Sequence, residues 1–455
     1  MTLADFWDIL TLRNYNTRVV VLSTTILGVA AGLVGSFLLL RKRSLMGDAL
    51  SHATLPGIAL AFALMTSWGL DGKSLPALLA GATLSGVLGV LLMLAIQRTT
   101  RLRDDVSMGL VLSVFFGLGV ALLAMVQKLP NASAAGLESF IYGQSASIVW
   151  NDFLLIAAVS LLITLTTLLL FKEFTLLCFD DGFAASQGWP ALLLDIALLA
   201  LVTAVTVIGL QSVGLILIIA FLITPPTTAR FWTERLSHLA VLSGLFGALS
   251  GWLGASLSAA YANLPAGALI VLAAALLFLL SMIFAPARGV LPRFLRQRRL
   301  RQKVARQHVL RAAYEILESQ CTHEQDPAGG HLVTNAPFPF SALLAKRTWS
   351  PHTLQKILRS EQRREHLTRR PEGTILLSEA GFGEAARVTR NHRLWEAYLV
   401  THADIAPNHV DRDADMVEHV LEADLVRELE RVLRDRDAWV AMPTSPHEIE
   451  PARPS

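Results

Sequence analysis

The chain has 455 residues, of which 53% are hydrophobic and 16% are charged, and its formal net charge is only +3. Ordinary soluble domains contain about 25% charged residues, so this composition excludes a disordered, a collagen-like and a conventional soluble protein. It indicates an integral membrane protein, and the small net charge favours no particular partner.

The charges are divided unevenly along the chain. Residues 1–287 contain 13 basic and 13 acidic side chains, whereas residues 288–455 contain 26 and 23, together with ten of the twelve histidines. We therefore predict an all-α, polytopic transmembrane domain over residues 1–287. It is followed by a basic linker over 288–304, a soluble domain over 305–437 and a tail over 438–455.

Nine apolar segments are long enough, or nearly long enough, to cross a membrane as helices. A crossing needs about 20 apolar residues, and the second and seventh segments are shorter and interrupted by proline or glycine. The predicted spans are Arg18–Leu40, Ala53–Ser67, Leu75–Ile96, Val106–Val126, Ile148–Phe171, Pro190–Leu210, Val213–Thr228, Leu236–Ala260 and Pro265–Phe284. The first is predicted to be a permanent span, because acidic residues replace the basic start of a cleavable signal.

Basic residues predict the orientation of these spans, because lysine and arginine accumulate on the cytoplasmic side of a membrane. If the N-terminus is outside, all the basic connections lie on the cytoplasmic side. They are Arg41–Arg43, Arg98–Asp105, Thr227–Arg235 and the tail after Arg288. The loops on the other side carry only Lys73 and Lys128. The sequence therefore predicts that the C-terminal domain is cytoplasmic.

A carboxylate and an imidazole stand together at the start of the second span. Asp48 and His52 are four residues apart, so a helix places both side chains on one face. Ionisable groups at membrane depth are costly and mark functional sites, and these two donors suit Mn²⁺, Fe²⁺ or Zn²⁺. The pattern predicts a transient metal site in a transport pathway. The alternative is a solvated helix start, with Asp48 near the positive end of the helix.

Three further side chains and one segment have simpler interpretations. Asp195 and His238 stand in the first turns of the sixth and eighth spans, and Glu138 lies in the long outer loop. Each is predicted to be a favourable interfacial or solvated side chain. The cytoplasmic connection Phe179–Trp189 has apolar residues at helical spacing and a glycine near its end, which predicts a short amphipathic helix.

Three segments, in order, resemble the ABC-3 permeases, the membrane subunits of bacterial zinc, manganese and iron ABC importers. These segments are Arg43–Gly57, Val213–Arg230 and Leu264–Pro286. The resemblance covers residues 18–287 and departs in one detail, since Pro225-Pro226 stands where the family has Pro-Ala. It implies a type II ABC importer-like fold with about nine transmembrane helices.

The resemblance also implies roles and partners. Asp48 and His52 would hold the transported metal. The implied coupling-helix residues, which would dock on an ATPase, are Phe179, Asp180, Phe183 and Gly188. No GxxxxGK[ST] motif occurs in the chain, so a separate ABC ATPase subunit is expected to bind the nucleotide. An extracytoplasmic metal-binding protein and a second permease, either another copy or a sister subunit, complete the expected complex in the bacterial inner membrane.

The C-terminal part predicts a cytoplasmic winged helix followed by a helical dimerisation domain. Helices are predicted over residues 299–319, Pro339–Lys346 and Ser350–Arg364, then a hairpin over Leu367–Leu377 with a Pro-Glu-Gly turn. Further helices are predicted over Ser378–His402, Val410–Glu422 and Ala423–Arg434.

This part resembles the DtxR/MntR metal-dependent repressors over residues 305–437. The segments that carry the resemblance are Leu377–Gly381, Asn391–Glu396 and Asp415–Leu421. The implied metal ligands are His308, Asp415, Glu418 and His419 for one site and His392, Glu396 and Asp411 for a second. Arg311 stands where the manganese repressors have a glutamate ligand, which weakens the case for a binuclear manganese centre. The alternative is a degenerate regulatory fold.

Two other functions compete with metal import. A membrane-anchored, metal-responsive DNA-binding regulator would use the basic residues Lys356, Arg359, Arg363, Arg364, Arg369 and Arg370. Nine spans exceed what an anchor needs, so DNA is not an expected partner. A permease for a metal chelate would be favoured by a pathway without paired Asp and His. The sequence therefore favours a transporter subunit, not an enzyme, for manganese, zinc or iron, with a domain that senses the metal as effector.

Overall fold

The computed structural model of the protein describes residues 14–43, 45–70, 74–126, 148–261, 264–323, 336–402 and 423–434. The chain forms two compact units, Met1–Arg293 and Phe294–Ser455. The first unit contains only helices among its described residues. They are α1 (Tyr15–Leu40), α2 (Met46–Ser67), α3 (Leu75–Thr99), α4 (Asp104–Val126), α5 (Trp150–Leu169), α6 (Phe171–Phe179), α7 (Asp181–Ser186), α8 (Ala191–Val213), α9 (Leu215–Arg230), α10 (Leu236–Ala260) and α11 (Ala266–Phe284).

Eight helices within the described residues are long and apolar enough to cross a membrane, which confirms a polytopic membrane protein. The seventh predicted span differs. It corresponds to α9, which has 16 residues and is therefore about 24 Å long, shorter than the roughly 30 Å hydrocarbon core. Gly214, with a φ of 85°, separates it from α8. The predicted segment, Val213–Thr228, has the same length as α9 but begins two residues earlier, because hydropathy does not detect the break at Gly214.

Glycines allow membrane helices to pack backbone against backbone in this unit. A Cβ atom added at Gly28 of α1 would overlap the backbone of Gly247 in α10, and Gly57 of α2 meets Gly81 of α3 in the same way. Small residues at helix crossings permit this close approach. The second of these crossings fixes the position of α2, which also packs against α4.

The second unit combines helices with a small antiparallel sheet. Its elements are α12 (Val290–His323, which begins in the first unit), β1 (Phe338–Pro339), α13 (Phe340–Lys346), α14 (Pro351–Gln362), β2 (Leu367–Arg369), β3 (Thr374–Leu377), α15 (Glu379–His402) and α16 (Ala423–Arg434). The strand order is β1-β3-β2, with Leu367 opposite Leu377. Gly373, with a φ of 82°, makes the hairpin turn. The three helices and hairpin confirm the predicted element order of a winged helix.

One helix extends further than predicted. Helix α12 has 34 residues and begins at Val290, so most of the predicted linker 288–304 is helical. Arginine, leucine, glutamine and lysine all favour helices, and Pro292 stands in the first turn, where proline is tolerated. The boundaries of the predicted domains remain a prediction. The predicted helix Val410–Glu422 lies outside the described residues.

Candidate functional site

The structure brings Asp48 and His52 together at the start of α2. The His52 Nε2 atom lies 3.4 Å from Asp48 Oδ1, and the two side chains are 19% and 31% exposed, respectively. The other ring nitrogen, Nδ1, has no hydrogen-bond partner among the described residues. The His52 ring packs edge-on against Phe116 of α4, with 4.8 Å between the ring centres. The pair is therefore held by the packing of α2 and α4 and remains partly accessible.

The spacing of the two donor atoms suits one metal ion. Two ligands that each bind a metal at about 2.1 Å, with a tetrahedral angle between them, lie about 3.4 Å apart. In the part of the chain that the structure describes, no three His, Cys, Asp or Glu side chains are grouped so that they could hold a metal ion together. The pair thus supplies two ligands, and an ion held there needs further ligands from elsewhere.

The start of α2 packs closely against α9, the helix that follows the break at Gly214. A Cβ atom added at Gly47 would come within 2.8 Å of Leu222 Cδ1 in α9. Before Gly47 the chain makes a tight turn in which Lys42 has a φ of 58°. The backbone therefore determines where Asp48 can lie, one residue after this contact.

A buried ion-pair network lies at the same end of the first unit. Arg43 donates two hydrogen bonds to the Asp195 carboxylate, at 2.9 and 3.0 Å, and one to Asp104 at 3.2 Å. Arg41 donates to the same Asp195 carboxylate at 3.1 Å. Burial opposes the charge of Arg43, but Asp195 and Asp104 outweigh it and hold the pKa of the guanidinium above its ordinary value.

Sequence reasoning missed the role of Asp195. It predicted a favourable side chain at a helix start, whereas the structure gives Asp195 two arginine partners more than 150 positions away in sequence. The usable signal in the sequence was a lone carboxylate within an apolar segment, on the same predicted membrane side as the basic turn Arg41–Arg43. Of the other two predicted interfacial groups, His238 is exposed in the first turn of α10, and Glu138 lies outside the described residues.

The predicted coupling segment forms a short helix with an exposed apolar face. Asp180 caps α7 by accepting a hydrogen bond from the Phe183 backbone N–H at 2.7 Å. The side chains of Phe179 and Phe183 are 70% and 50% exposed. Gly188, with a φ of 81°, follows the helix. Large exposed apolar side chains beside polar ones are typical of a protein interaction site.

Arg41 connects this segment to the turn before α2. It donates a hydrogen bond to the Leu177 carbonyl oxygen at 2.8 Å and lies 3.8 Å from the Asp181 carboxylate. Since the same guanidinium also contacts Asp195, displacement of α7 would act directly on the turn that precedes Asp48.

The C-terminal unit contains a second histidine and carboxylate pair, and it is buried. His392 Nε2 lies 3.1 Å from Glu396 Oε1, and these side chains are 3% and 0% exposed. Arg311 contacts His392 Nδ1 at 2.7 Å. Arginine can only donate, so Nδ1 accepts and the ring hydrogen lies on Nε2, facing Glu396. Both ring nitrogens are thus engaged, and these residues as arranged do not fit a metal ion unless Arg311 moves.

Of the remaining predicted ligands of this unit, His308 is the one that lies within the described residues. His308 accepts a hydrogen bond from Arg347 at 3.0 Å. The predicted ligands that lie outside the described residues are Asp411, Asp415, Glu418 and His419.

Comparison with known proteins gives two family matches. Residues 14–285 match the ABC 3 transport family. Residues 378–438 match the iron dependent repressor, metal binding and dimerisation domain. The two matches correspond to the resemblances found in the sequence, and the second covers α15 and α16.

Similar proteins span both parts of the chain. The manganese transport system membrane protein MntC of Bacillus subtilis is 40% identical over 404 residues, covering 89% of this chain and 88% of that protein. The zinc transport system membrane protein TroC of Treponema pallidum is 46% identical over 63% of this chain and 95% of that protein. The first alignment is too long to end within the membrane part, so it includes part of the C-terminal domain.

A solved structure supports the fold of the membrane part. The structure described as PsaBC from Streptococcus pneumoniae in complex with Fab is 33% identical, with a TM-score of 0.55, over 65% of this chain and 100% of that chain. The family match covers most of the membrane unit, and the relatives are aligned over nearly their whole lengths. The chain therefore belongs to the ABC 3 transport family and is a multi-pass membrane permease, not an enzyme.

Proposed function

We propose that the protein is the permease subunit of an ATP-driven importer of a divalent transition metal, namely manganese, zinc or iron. The observation that carries the proposal is the Asp48–His52 pair, whose donor atoms are 3.4 Å apart and partly exposed. The names of the relatives, which specify manganese and zinc transport, support this substrate class. A permease for a metal chelate is the weaker candidate, because a chelated ion has fewer coordination positions free for protein donors.

The pathway site needs partners to be complete. Asp48 and His52 provide two ligands, whereas zinc in proteins takes about four and manganese about six. We infer that a second permease, either another copy or a sister subunit, brings an equivalent pair to the same ion. Water fills the remaining positions, so the ion stays exchangeable. An extracytoplasmic metal-binding protein delivers the ion on the opposite side from the ATPase.

Helix α7 and Arg41 are proposed to couple ATP hydrolysis in the partner subunit to the metal site. In this proposal Phe179 and Phe183 insert into a groove of a separate ABC ATPase subunit on the cytoplasmic side of the bacterial inner membrane. Nucleotide-driven movement of α7 displaces Arg41, which also contacts Asp195. Because Arg41 lies in the turn before α2, the movement changes the access of Asp48 and His52 and alternates the site between the two sides.

The C-terminal domain is proposed to be a cytoplasmic regulatory domain. Its match to a metal binding and dimerisation domain supports this role. Metal as effector at His392 and Glu396 stays a prediction, and it requires displacement of the Arg311 guanidinium. A membrane-anchored DNA-binding regulator is less well supported, since the eight apolar helices of spanning length found among the described residues exceed the needs of an anchor.

The test is metal uptake by the complete complex in proteoliposomes, with ATP supplied on the ATPase side. Asp48→Asn removes a charged donor at nearly constant volume and is expected to reduce Mn²⁺ and Zn²⁺ uptake at least about 100-fold, by analogy with the loss of other metal-site donors. The matched control is Asp105→Asn, an exposed carboxylate in the first turn of α4. Uptake by Asp48→Asn at the level of the control would refute the proposed pathway.

A further inference from the structure

A cationic cavity of about 480 Å³ lies between α12 and α14 in the second unit. Seven of its twelve lining residues are arginine or lysine, and none is acidic. The cations that define its two walls are Arg298, Arg299 and Arg301 of α12 and Lys356 and Arg364 of α14. Neither the metal pathway nor the coupling helix uses this cavity.

The nearby carboxylate of Glu361 is paired with Arg306, one of the seven basic lining residues, and does not itself line the cavity. Glu361 is fully buried, and it pairs with Arg306 and contacts His366 Nδ1 at 2.8 Å. Like charges facing each other across a small space repel, so the walls favour an anion between them. A phosphate group suits the site because arginine side chains bind its oxygens in a bidentate manner.

The first turns of α12 carry exposed apolar side chains just after the last membrane helix. Helix α11 ends at Phe284 and α12 begins at Val290. Val290 and Phe294 are each 58% exposed. Arginines stand between these apolar residues, a composition typical of helices that lie in a membrane interface.

The apolar side chains and the cavity share one face of α12. Val290, Phe294 and Arg298 follow one another at intervals of four residues, as do Leu291, Leu295 and Arg299. Such residues lie on one side of a helix. The distance from Val290 to Arg298 is about 12 Å along the helix axis. An apolar stripe therefore leads directly into a cationic cavity.

We propose that this cavity binds the phosphate of an anionic phospholipid headgroup from the membrane that holds the first unit. The acyl chains lie along Phe294 and Leu295, and the phosphate lies between Arg298 and Lys356. Clusters of basic residues beside a membrane helix attract anionic lipids in this way. The lipid would join α12 to α14 within the second unit.

The apolar stripe favours lipid over nucleic acid as the phosphate source. A DNA backbone offers no partner for exposed side chains such as Leu295 and Phe294. In addition, Lys356 and Arg364 of α14 line the cavity together with α12, whereas Arg359 and Arg363 lie outside its lining. Binding of nucleic acid is therefore not part of the proposal, and the competition experiment below tests for it.

The test uses the full chain in a neutral detergent, with a fluorescent short-chain phosphatidylglycerol as probe. The cavity variant Arg298→Gln/Arg301→Gln/Lys356→Gln is expected to bind the probe about 100-fold more weakly, since each cation contributes about fivefold to attraction of an anionic lipid. The matched control, Arg359→Gln/Arg363→Gln/Arg370→Gln, loses the same charge outside the cavity. Its affinity is expected to stay within about threefold of wild type, because distant exposed charges are screened. Equal losses in the two variants would overturn the proposal.

Competition identifies the source of the phosphate. Unlabelled phosphatidylglycerol is expected to displace the probe, and phosphatidylcholine is not. Displacement by inorganic phosphate or by duplex DNA at the same concentration as phosphatidylglycerol would overturn the lipid assignment. Phe294→Gln, which leaves every cation in place, provides an independent check that does not depend on the fold of the triple variant. It is expected to weaken probe binding measurably, and unchanged binding would contradict the acyl-chain contact.

Discussion

Two pairs of histidine and carboxylate, each four residues apart on a helix, differ in what surrounds them. In the membrane unit, the Asp48 and His52 side chains are partly exposed and their donor atoms are 3.4 Å apart. In the C-terminal unit, His392 and Glu396 are 3.1 Å apart and almost fully buried. The same spacing in sequence therefore produces one pair that an ion can enter and one that is enclosed.

The difference comes from an arginine. Arg311 donates to His392 Nδ1 at 2.7 Å and pairs with Glu315 at 3.1 Å, so its guanidinium occupies the side of the His392 ring that a metal ion would need. At His52 the neighbour is the ring of Phe116, which supplies no charge. A metal ion at the membrane pair would thus meet uncompensated donors, whereas a metal ion at the buried pair would have to replace an existing cation.

The largest effect is expected from a substitution that prevents α7 from docking on the ATPase, because transport through the membrane pair then loses its coupling to ATP hydrolysis. Phe183→Asp places a charge on the exposed apolar face of α7 and should prevent its docking on the ATPase, because burying an unpaired charge is costly. We expect uptake to fall to background while the protein still inserts into membranes. ATPase activity and uptake measured in the same proteoliposomes check this.

The control for α7 is a charge on the same helix away from the apolar side chain. Ala185→Asp adds an equivalent carboxylate at an exposed position two residues after Phe183, on the opposite side of the helix, and should preserve most of the uptake. Normal, metal-stimulated ATPase activity with full uptake in Phe183→Asp would show that α7 is not the coupling element.

A smaller effect is expected from a substitution that makes the surroundings of the buried pair resemble those of the membrane pair. Arg311→Gln removes the guanidinium from His392 Nδ1, so the ring can donate a lone pair to a metal ion. We expect the affinity of the C-terminal unit for Zn²⁺ to rise about tenfold, in the range seen when groups around metal ligands are changed. The measurement is calorimetry on the full chain, carrying Asp48→Asn and His52→Gln so that the membrane pair does not contribute.

The matched change is Arg387→Gln, which breaks an exposed ion pair with Glu384, where Nη2 and Oε1 lie 2.7 Å apart. It should leave the Zn²⁺ affinity unchanged. If Arg311→Gln and Arg387→Gln bind Zn²⁺ equally, the guanidinium of Arg311 does not control access to His392.

The smallest effect is expected at the cap of α7. Asp180→Ala removes the acceptor for the Phe183 N–H, and the loss of such a cap costs about 1 kcal/mol. We expect faster hydrogen exchange in α7 and a partial loss of uptake. Asp180→Ser, which retains a capping oxygen, should restore both, and an identical phenotype for the two variants would exclude the cap as the cause.

Local features of this fold were predictable from sequence because local rules decide them. Hydropathy predicts the membrane helices, and the Pro-Glu-Gly turn predicts the β2–β3 hairpin around Gly373. The spacing of Asp48 and His52 predicts that they share a helix face, and the structure confirms this. The length of α9 was predicted correctly, but its start was placed two residues too early, because the break at Gly214 is a backbone feature that hydropathy does not detect.

Long-range contacts were not predictable in the same way. Asp195 obtains its partners, Arg41 and Arg43, through the packing of α8 against the end of α1, and nothing in the spacing of these residues indicates it. Arg311 was recognised as a departure from a ligand pattern, but only the fold places it on His392. Sequence spacing predicts pairs within one helix, whereas the charges that decide their chemistry come from other helices.

Uptake by two double variants, measured side by side, tests the central claim most directly. Asp48→Asn/His52→Gln and His392→Gln/Glu396→Gln remove the same chemical groups from the two units. In proteoliposomes with the ATPase, the binding protein and ⁵⁴Mn²⁺, the first variant is expected to lose uptake at every concentration. The second is expected to import with the initial rate of wild type at low internal metal. Full uptake by the first variant, or its loss only in the second, would contradict the assignment of the transport pathway to Asp48 and His52.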